Sequence, residues 1–209
     1  MSIVRITETN IDRISQTALE TLESGGIVAY PTETFYALGV RFDIESSLHR
    51  LYDVKKRPRD KAMPIIIGST AQLSLVSCRI NETAEYLIER FWPGPLTLLV
   101  PAKDGVSEWI TSGSRKVAVR IPGESFALHL AKCAGFPITS TSANPSGSPP
   151  AMDTRTVREY FPHGIDLIVD GGNTPGGLPS TIVDTVDNTI RIVRKGAIEE
   201  DMILPQSPQ

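Results

Sequence analysis

The sequence predicts an α/β protein built on a mixed sheet. Two observations carry this reading. Short apolar strands alternate with amphipathic helical stretches for most of the length, and the last strands follow one another with no helix between them. The alternation implies crossover helices, whereas the helix-free end implies an antiparallel edge. At 209 residues the chain suits one large domain with a short tail, divided here at 1–200 and 201–209. The tail ends in a Pro- and Gln-rich run and is expected to fray.

Taken in order, residues 2–6 read as a strand. Ile11, Ile14, Ala18 and Leu22 then share one helical face, with Asn10 as the cap and Gly25-Gly26 as the stop. Ile27–Tyr30 is a buried strand running into the polar loop Pro31–Gly39. Asp43 caps a helix marked by Ile44, Leu48, Leu51 and Tyr52, and this helix ends at Lys55–Lys61. Pro64–Ile67 is the next strand, and Ala84, Leu87, Ile88 and Phe91 mark the following helix. After the rigid break Trp92-Pro93-Gly94-Pro95 come strands at 96–100 and 117–121, a helix over 125–134 and a strand at 138–141. A helix near 153–160 precedes strands at 167–169, 181–186 and 190–193.

Composition excludes several classes. Hydrophobic content of 40% and charged content of 22% are ordinary for a soluble globular protein. No apolar run approaches the ~20 residues of a membrane span. The N-terminus lacks the pattern of a signal peptide, so a cytoplasmic protein is expected, with no membrane partner. Cys78 and Cys133 have no metal-type spacing and read as reduced core thiols. The three histidines, His49, His129 and His163, are scattered. No P-loop, dinucleotide fingerprint, nucleophile elbow or zinc motif is present, which argues against covalent and zinc chemistry.

What remains is a set of polar loops at strand ends. Lys55–Lys61 holds five basic side chains and one acid in a chain of net charge −3, an anion trap unless it is only a solvated loop. Pro31–Gly39 offers hydroxyls and a carboxylate, and Thr139–Asn144 offers hydroxyl and amide groups suited to phosphate oxygens. Asp170–Thr181 contains four glycines that let backbone amides approach a ligand. Cations with Ser and Asn donors and no nucleophile suggest phosphoryl or nucleotidyl transfer by positioning and electrostatics. The residues alone indicate an anion- or nucleotide-binding α/β protein.

The ordered motifs also resemble a known family. They are Pro31-Thr32-Glu33-Thr34-Phe35-Tyr36-Ala37-Leu38-Gly39, Lys55-Lys56-Arg57-Pro58 with Lys61, Phe91–Thr97, Val119-Arg120-Ile121-Pro122, Thr141–Gly147, Pro179–Asp184 and Arg194-Lys195-Gly196. Together they resemble the YrdC-type threonylcarbamoyl-AMP synthases, in the short, single-domain TsaC form. The resemblance implies a YrdC-like domain over 1–200 with a twisted mixed sheet, flanking helices and a concave basic ligand-binding surface. It implies that L-threonine, bicarbonate and ATP, assisted by Mg2+, give threonylcarbamoyl-AMP and pyrophosphate. Downstream proteins would then complete threonylcarbamoyladenosine (t6A) in tRNA.

By the same resemblance, Lys55, Arg57, Ser142 and Asn144 hold ATP, with Lys61 and Arg194 as further nucleotide residues. Thr32, Arg120 and Ser180 hold threonine, and no protein metal ligand is implied. Glu33 stands where aspartate is frequent, Ala37 where glycine is usual, and Gly68 where some members place a histidine. Other readings remain open at this level. Arg120 is alternatively a structural ion-pair partner, and Ser180 a strand-start hydroxyl bonding its own backbone. The whole chain is alternatively a non-catalytic RNA-binding protein of tRNA or ribosome maturation, contacting RNA through its basic loop. A domain adenylating another carbamoyl donor is disfavoured by the single short chain.

Overall fold

The structure, a computed structural model, describes residues 1–204, and Pro205–Gln209 of the expected tail lie outside the described residues. Among the described residues, eleven strands form two mixed sheets. The first runs β1 (Ser2–Arg5), β9 (Leu167–Asp170), β2 (Val28–Pro31), β3 (Tyr36–Gly39), β8 (Thr141–Ser142). The second runs β11 (Arg191–Arg194), β10 (Thr181–Asp184), β5 (Leu96–Pro101), β6 (Lys116–Arg120), β4 (Ile65–Ile66), β7 (Ile138–Thr139). The α/β class with a mixed sheet is borne out, but as two sheets rather than one. The antiparallel C-terminal edge is also borne out, since β10 pairs antiparallel with β11 and parallel with β5.

The two sheets meet at the run Ile138–Ser142. Its first half pairs with β4 and its second half with β3, and the change of partner falls at Ser140. Thr139 N–H donates to the Val40 carbonyl (2.9 Å) and Thr139 Oγ1 accepts from Val40 N–H (2.9 Å), so the seam is tied to Val40 by two hydrogen bonds. A single strand over 138–141 was expected. The structure instead makes this run a hinge line between sheets, and the candidate site lies along it.

Helices α1 (Ile11–Glu23), α2 (Glu45–Lys55), α3 (Leu73–Val76), α4 (Glu82–Phe91), α5 (Glu108–Thr111), α6 (Phe126–Cys133), α7 (Thr154–Tyr160) and α8 (Glu200–Ile203) cover the sheets. Ile14, Ala18 and Leu22 of α1 pack with Phe126, Leu130 and Ala131 of α6 against Val28 and Val169. On the other side Leu48 and Leu51 of α2 join Leu87 of α4, Leu98 and Val119 in a larger core. The caps differ from expectation at two helices. Asn10 Oδ1 accepts from Thr7 N–H (2.8 Å), outside α1 rather than within it. Asp43 is engaged by Arg41 (2.7 Å), so Ile44 occupies the cap position of α2. Asn81, Ser125 and Asp153 do cap α4, α6 and α7 through side-chain oxygens.

Two further expectations are corrected. Tyr36–Gly39 is a strand forming a hairpin with β2, because this apolar stretch is fully buried on the sheet. Cys78 and Cys133 are free but exposed, not core thiols; α6 buries Phe126, Leu130 and Ala131, which leaves Cys133 off that face. At the C-terminal end of the described residues, α8 buries Ile203. No helix among the described residues is long and apolar enough to cross a membrane.

Candidate functional site

A cavity of about 460 Å³ opens along the seam between the sheets. Its wall draws on both: Tyr36 and Ala37 of β3 and Thr141 and Ser142 of β8 from one, Ile65, Ile66, Thr97, Arg120, Ile182 and Arg194 from the other. All four strand-end loops named from sequence reach it, three of them through Thr32, Thr34 and Phe35, through Ser140–Ser142, and through Gly177, Pro179 and Ser180. The basic loop contributes Arg57. Among the described residues, no Asp or Glu side chain lines this cavity, whereas Arg57, Arg120 and Arg194 do.

The end of α2 explains how Arg57 comes to face the cavity. Lys56 adopts the left-handed conformation (φ 49°, ψ 43°), its N–H bonds the Asp53 carbonyl, and Arg57 N–H bonds the Tyr52 carbonyl (2.9 Å). This is a Schellman-type stop made without glycine. The reversal at Lys56 sends its two neighbours to different places. Arg57 turns toward the cavity, with Nε donating to the Lys61 carbonyl (3.1 Å) and Nη2 to the Ala62 carbonyl (2.6 Å). Lys55 turns inward and is 2% exposed.

Inside, Lys55 Nζ donates to the Ser142 carbonyl and to the Asn144 carbonyl (2.7 Å). Burial, and second the charge of Arg57, push its pKa down to about 7. Asn144 is also buried, its Nδ2 donating to the carbonyls of Pro145 (3.1 Å) and Ser148 (2.6 Å). Neither Lys55 nor Asn144 lines the cavity. Lys61 does not either; its side chain is exposed, and its carbonyl serves Arg57 and Tyr52 Oη (2.7 Å). Of the residues assigned to ATP, the structure therefore brings Arg57, Ser142 and Arg194 to the wall and places Lys55, Asn144 and Lys61 off it.

All three threonine candidates line the cavity. Thr32 Oγ1 accepts from Thr34 N–H (3.1 Å) and Phe35 N–H (3.2 Å) and donates to the Phe35 carbonyl (2.8 Å), so the hydroxyl shapes the turn that bears it. Ser180 Oγ does not bond its own backbone. It lies 2.9 Å from Thr97 Oγ1 and accepts from Arg194 Nη2 (3.0 Å). Arg194 also clasps the Ser180 carbonyl through Nη2 (2.7 Å). Partial burial of this guanidinium, and second the charge of Arg120, lower its pKa from the ordinary arginine value. Arg120 Nη1 pairs with Glu33 Oε1, both side chains being largely buried.

Sequence reasoning missed two site residues. Thr97 is a buried polar residue within the apolar strand Leu96–Val100, a signal that alternation analysis could have raised. Glu33 was noted only as a variant position, yet it is the counter-ion of Arg120. Gly68 is accounted for by packing, because a Cβ there would collide with the backbone at Ala131 near the end of α6.

Comparison with known proteins adds the family. The Sua5/YciO/YrdC family model, described as "Telomere recombination", matches residues 20–196. The chain belongs to this family. It is 40% identical to the threonylcarbamoyl-AMP synthase of Pyrococcus abyssi over 85% of its own length, and spans 52% of that protein. The chain thus covers about half the length of this relative. It is 34% identical to the threonylcarbamoyl-AMP synthase of Vibrio campbellii, here covering 85% of this chain and 96% of the relative. The crystal structure of P. abyssi Sua5 complexed with L-threonine superposes with a TM-score of 0.92 at 37% identity, covering 97% of this chain and 60% of that one. The Sua5/YciO/YrdC fold is therefore shared almost throughout the present chain.

Proposed function

We propose that this protein is an L-threonylcarbamoyladenylate synthase, a nucleotidyltransferase that forms threonylcarbamoyl-AMP and pyrophosphate from L-threonine, bicarbonate and ATP for t6A synthesis. The observation that carries the reading is the cavity wall: three guanidinium groups, several hydroxyls and no lining carboxylate. Such a wall favours a ligand with several negative charges. The names of the relatives give threonylcarbamoyl-AMP as their product, and a solved relative is complexed with L-threonine, both of which match this chemistry.

In this reading the α-carboxylate of threonine docks on Arg120. One N–H of Arg120 is given to Glu33, and a guanidinium has five, so a fork remains for the substrate. Thr32 and Ser180 flank the amino acid. Threonine amine and bicarbonate condense to the carbamate with loss of water. A carbamate oxygen then attacks the α-phosphorus in line, and the bond to pyrophosphate breaks. Arg57 and Arg194 offset the charge that moves onto the departing pyrophosphate, while Ser142 orients the α-phosphate. Apolar surface from Phe35, Ile65 and Pro150 is available to the base and the threonine methyl.

Among the described residues no group of three His, Cys, Asp or Glu side chains converges on a metal position. The donor set does not fit a metal held by protein ligands. Mg2+, if bound with ATP, would supply counter-charge to the phosphates beside Arg57 and Arg194. The deciding assay is pyrophosphate release from ATP with threonine and bicarbonate omitted in turn. Release is expected only with both present, and equal turnover without threonine would overturn the assignment.

A further inference from the structure

We propose that Arg59 and Trp109 form a latch outside the cavity that positions Arg57, with Arg59 acting through Trp109 rather than as a charge on the ligand. This rests on the reading of Arg57 as a nucleotide contact of the cavity wall. Residues 56–64 run as a loop between α2 and β4. Within it the Arg57 guanidinium is aimed by two carbonyls of its own loop, those of Lys61 and Ala62. Whatever fixes those two carbonyls therefore fixes Arg57. The loop needs fixing, because Lys56, Arg57, Arg59 and Lys61 repel one another with Asp60 as the one acid among them.

The fixing contacts come from α5 and the turn after it. The Arg59 guanidinium stacks on Trp109, with Cζ 4.1 Å from the ring centroid. Ser112 Oγ donates to the Arg59 carbonyl (2.9 Å), and Met63 N–H donates to the Ile110 carbonyl (3.0 Å). Tyr52 closes the frame. Its Oη lies 2.7 Å from the Lys61 carbonyl oxygen and 2.8 Å from that of Trp109, so its single hydrogen is shared between the loop and α5. The Tyr52 and Trp109 rings meet edge to face, their centroids 5.0 Å apart. Arg59 is exposed and lies off the cavity wall, while Trp109 is half-buried against the larger core. One stacked pair on the surface thus carries the rigidity of the core to Arg57, two residues earlier. A cation serving only to attract anions needs no aromatic face beneath it.

The test pairs two measurements on the full chain: amide hydrogen exchange at residues 57–63 without nucleotide, and the affinity of a non-hydrolysable ATP analogue. Trp109→Leu leaves every charge in place, yet should weaken analogue binding roughly threefold to tenfold and speed exchange at Lys61 and Met63. Trp109→Phe, which keeps an aromatic face, should retain most of the affinity. Arg59→Gln should match Trp109→Leu, and the double variant should lose no more than either single change, since the latch is already open. Tyr52→Phe removes the bond to the Lys61 carbonyl and serves if Trp109→Leu fails to fold; it should speed exchange at Lys61 and weaken binding. Losses that add in the double variant, or weakened binding in Arg59→Gln alone, would overturn the proposal, because Arg59 would then act as a free charge. Unchanged exchange in Trp109→Leu would overturn it equally. The exchange measurement uses no nucleotide, so it decides the latch even if the pyrophosphate assay rejects the synthase reading.

Discussion

Raising the pH from 7 to 9 should stabilise the folded protein through one side chain. Lys55 is 2% exposed, and its pKa falls from 10.5 to about 7 on folding. Between those values the unfolded chain binds a proton that the folded chain does not. Stability therefore rises with pH across this window and its contribution is lost as pH falls toward 7. Each pKa unit is worth about 1.36 kcal/mol, so two pH units give roughly 2–3 kcal/mol. The full window gives a ceiling of about 5 kcal/mol, since the two carbonyl acceptors favour the ammonium and work against the shift. The assay is urea unfolding at pH 6, 7, 8 and 9 for the wild type and Lys55→Met. Other titrating groups are common to both, so the difference in slope isolates Lys55. The wild type should gain on the variant above pH 7 and not below it. Parallel stability curves would refute a desolvated Lys55.

Other outcomes follow from the site and its frame. Arg57→Ala should lower pyrophosphate release at least about tenfold, or ~1.4 kcal/mol of transition-state stabilisation; wild-type turnover would remove Arg57 from the wall. Glu33→Gln strips Arg120 of its carboxylate next to Arg194 and should destabilise the fold by about 3 kcal/mol in urea melts. Glu33→Asp, which keeps the charge, should cost clearly less, and an equal loss in both would show that packing rather than the ion pair matters. Gly68→Ala should cost about 1–3 kcal/mol in the same melts, because its Cβ meets the α6 backbone at Ala131. Gly135→Ala, where a Cβ meets nothing within 4 Å, provides the comparison and should stay within ~0.5 kcal/mol.

The elements that sequence revealed are those whose information is local. The faces of α1, α2 and α4, the glycine and proline breaks, and the polar character of the strand-end loops all follow from periodicity and turn chemistry. The convergence of those loops on one cavity was implied only by the resemblance. What stayed hidden depends on partners far along the chain. Nothing in Lys55-Lys56-Arg57 shows that one cation is buried, because its acceptors are the carbonyls of Ser142 and Asn144. Nor does composition show that Asp43 will pair with Arg41 instead of capping α2, or that Cys133 falls just outside the buried face of α6. In the site itself, sequence leaves Arg120 open as a structural ion-pair partner, but its counter-ion Glu33 lies 87 residues away in sequence.

The run Ile138–Ser142 also limits how this molecule can meet its neighbours. By serving β4 with one half and β3 with the other, it joins what would be two open sheet margins to each other. Among the described residues, the other two margins, β1 and β11, four residues each, are unpaired on their outer sides. Both expose an apolar residue, Ile3 and Val193, and an unsatisfied strand edge of that kind invites another chain to add to it. Here the invitation is curtailed by brevity and by arginine, at Arg5 on one margin and at Arg191 and Arg194 on the other. The same strand that unites the walls of the cavity thus halves the surface through which the protein could polymerise.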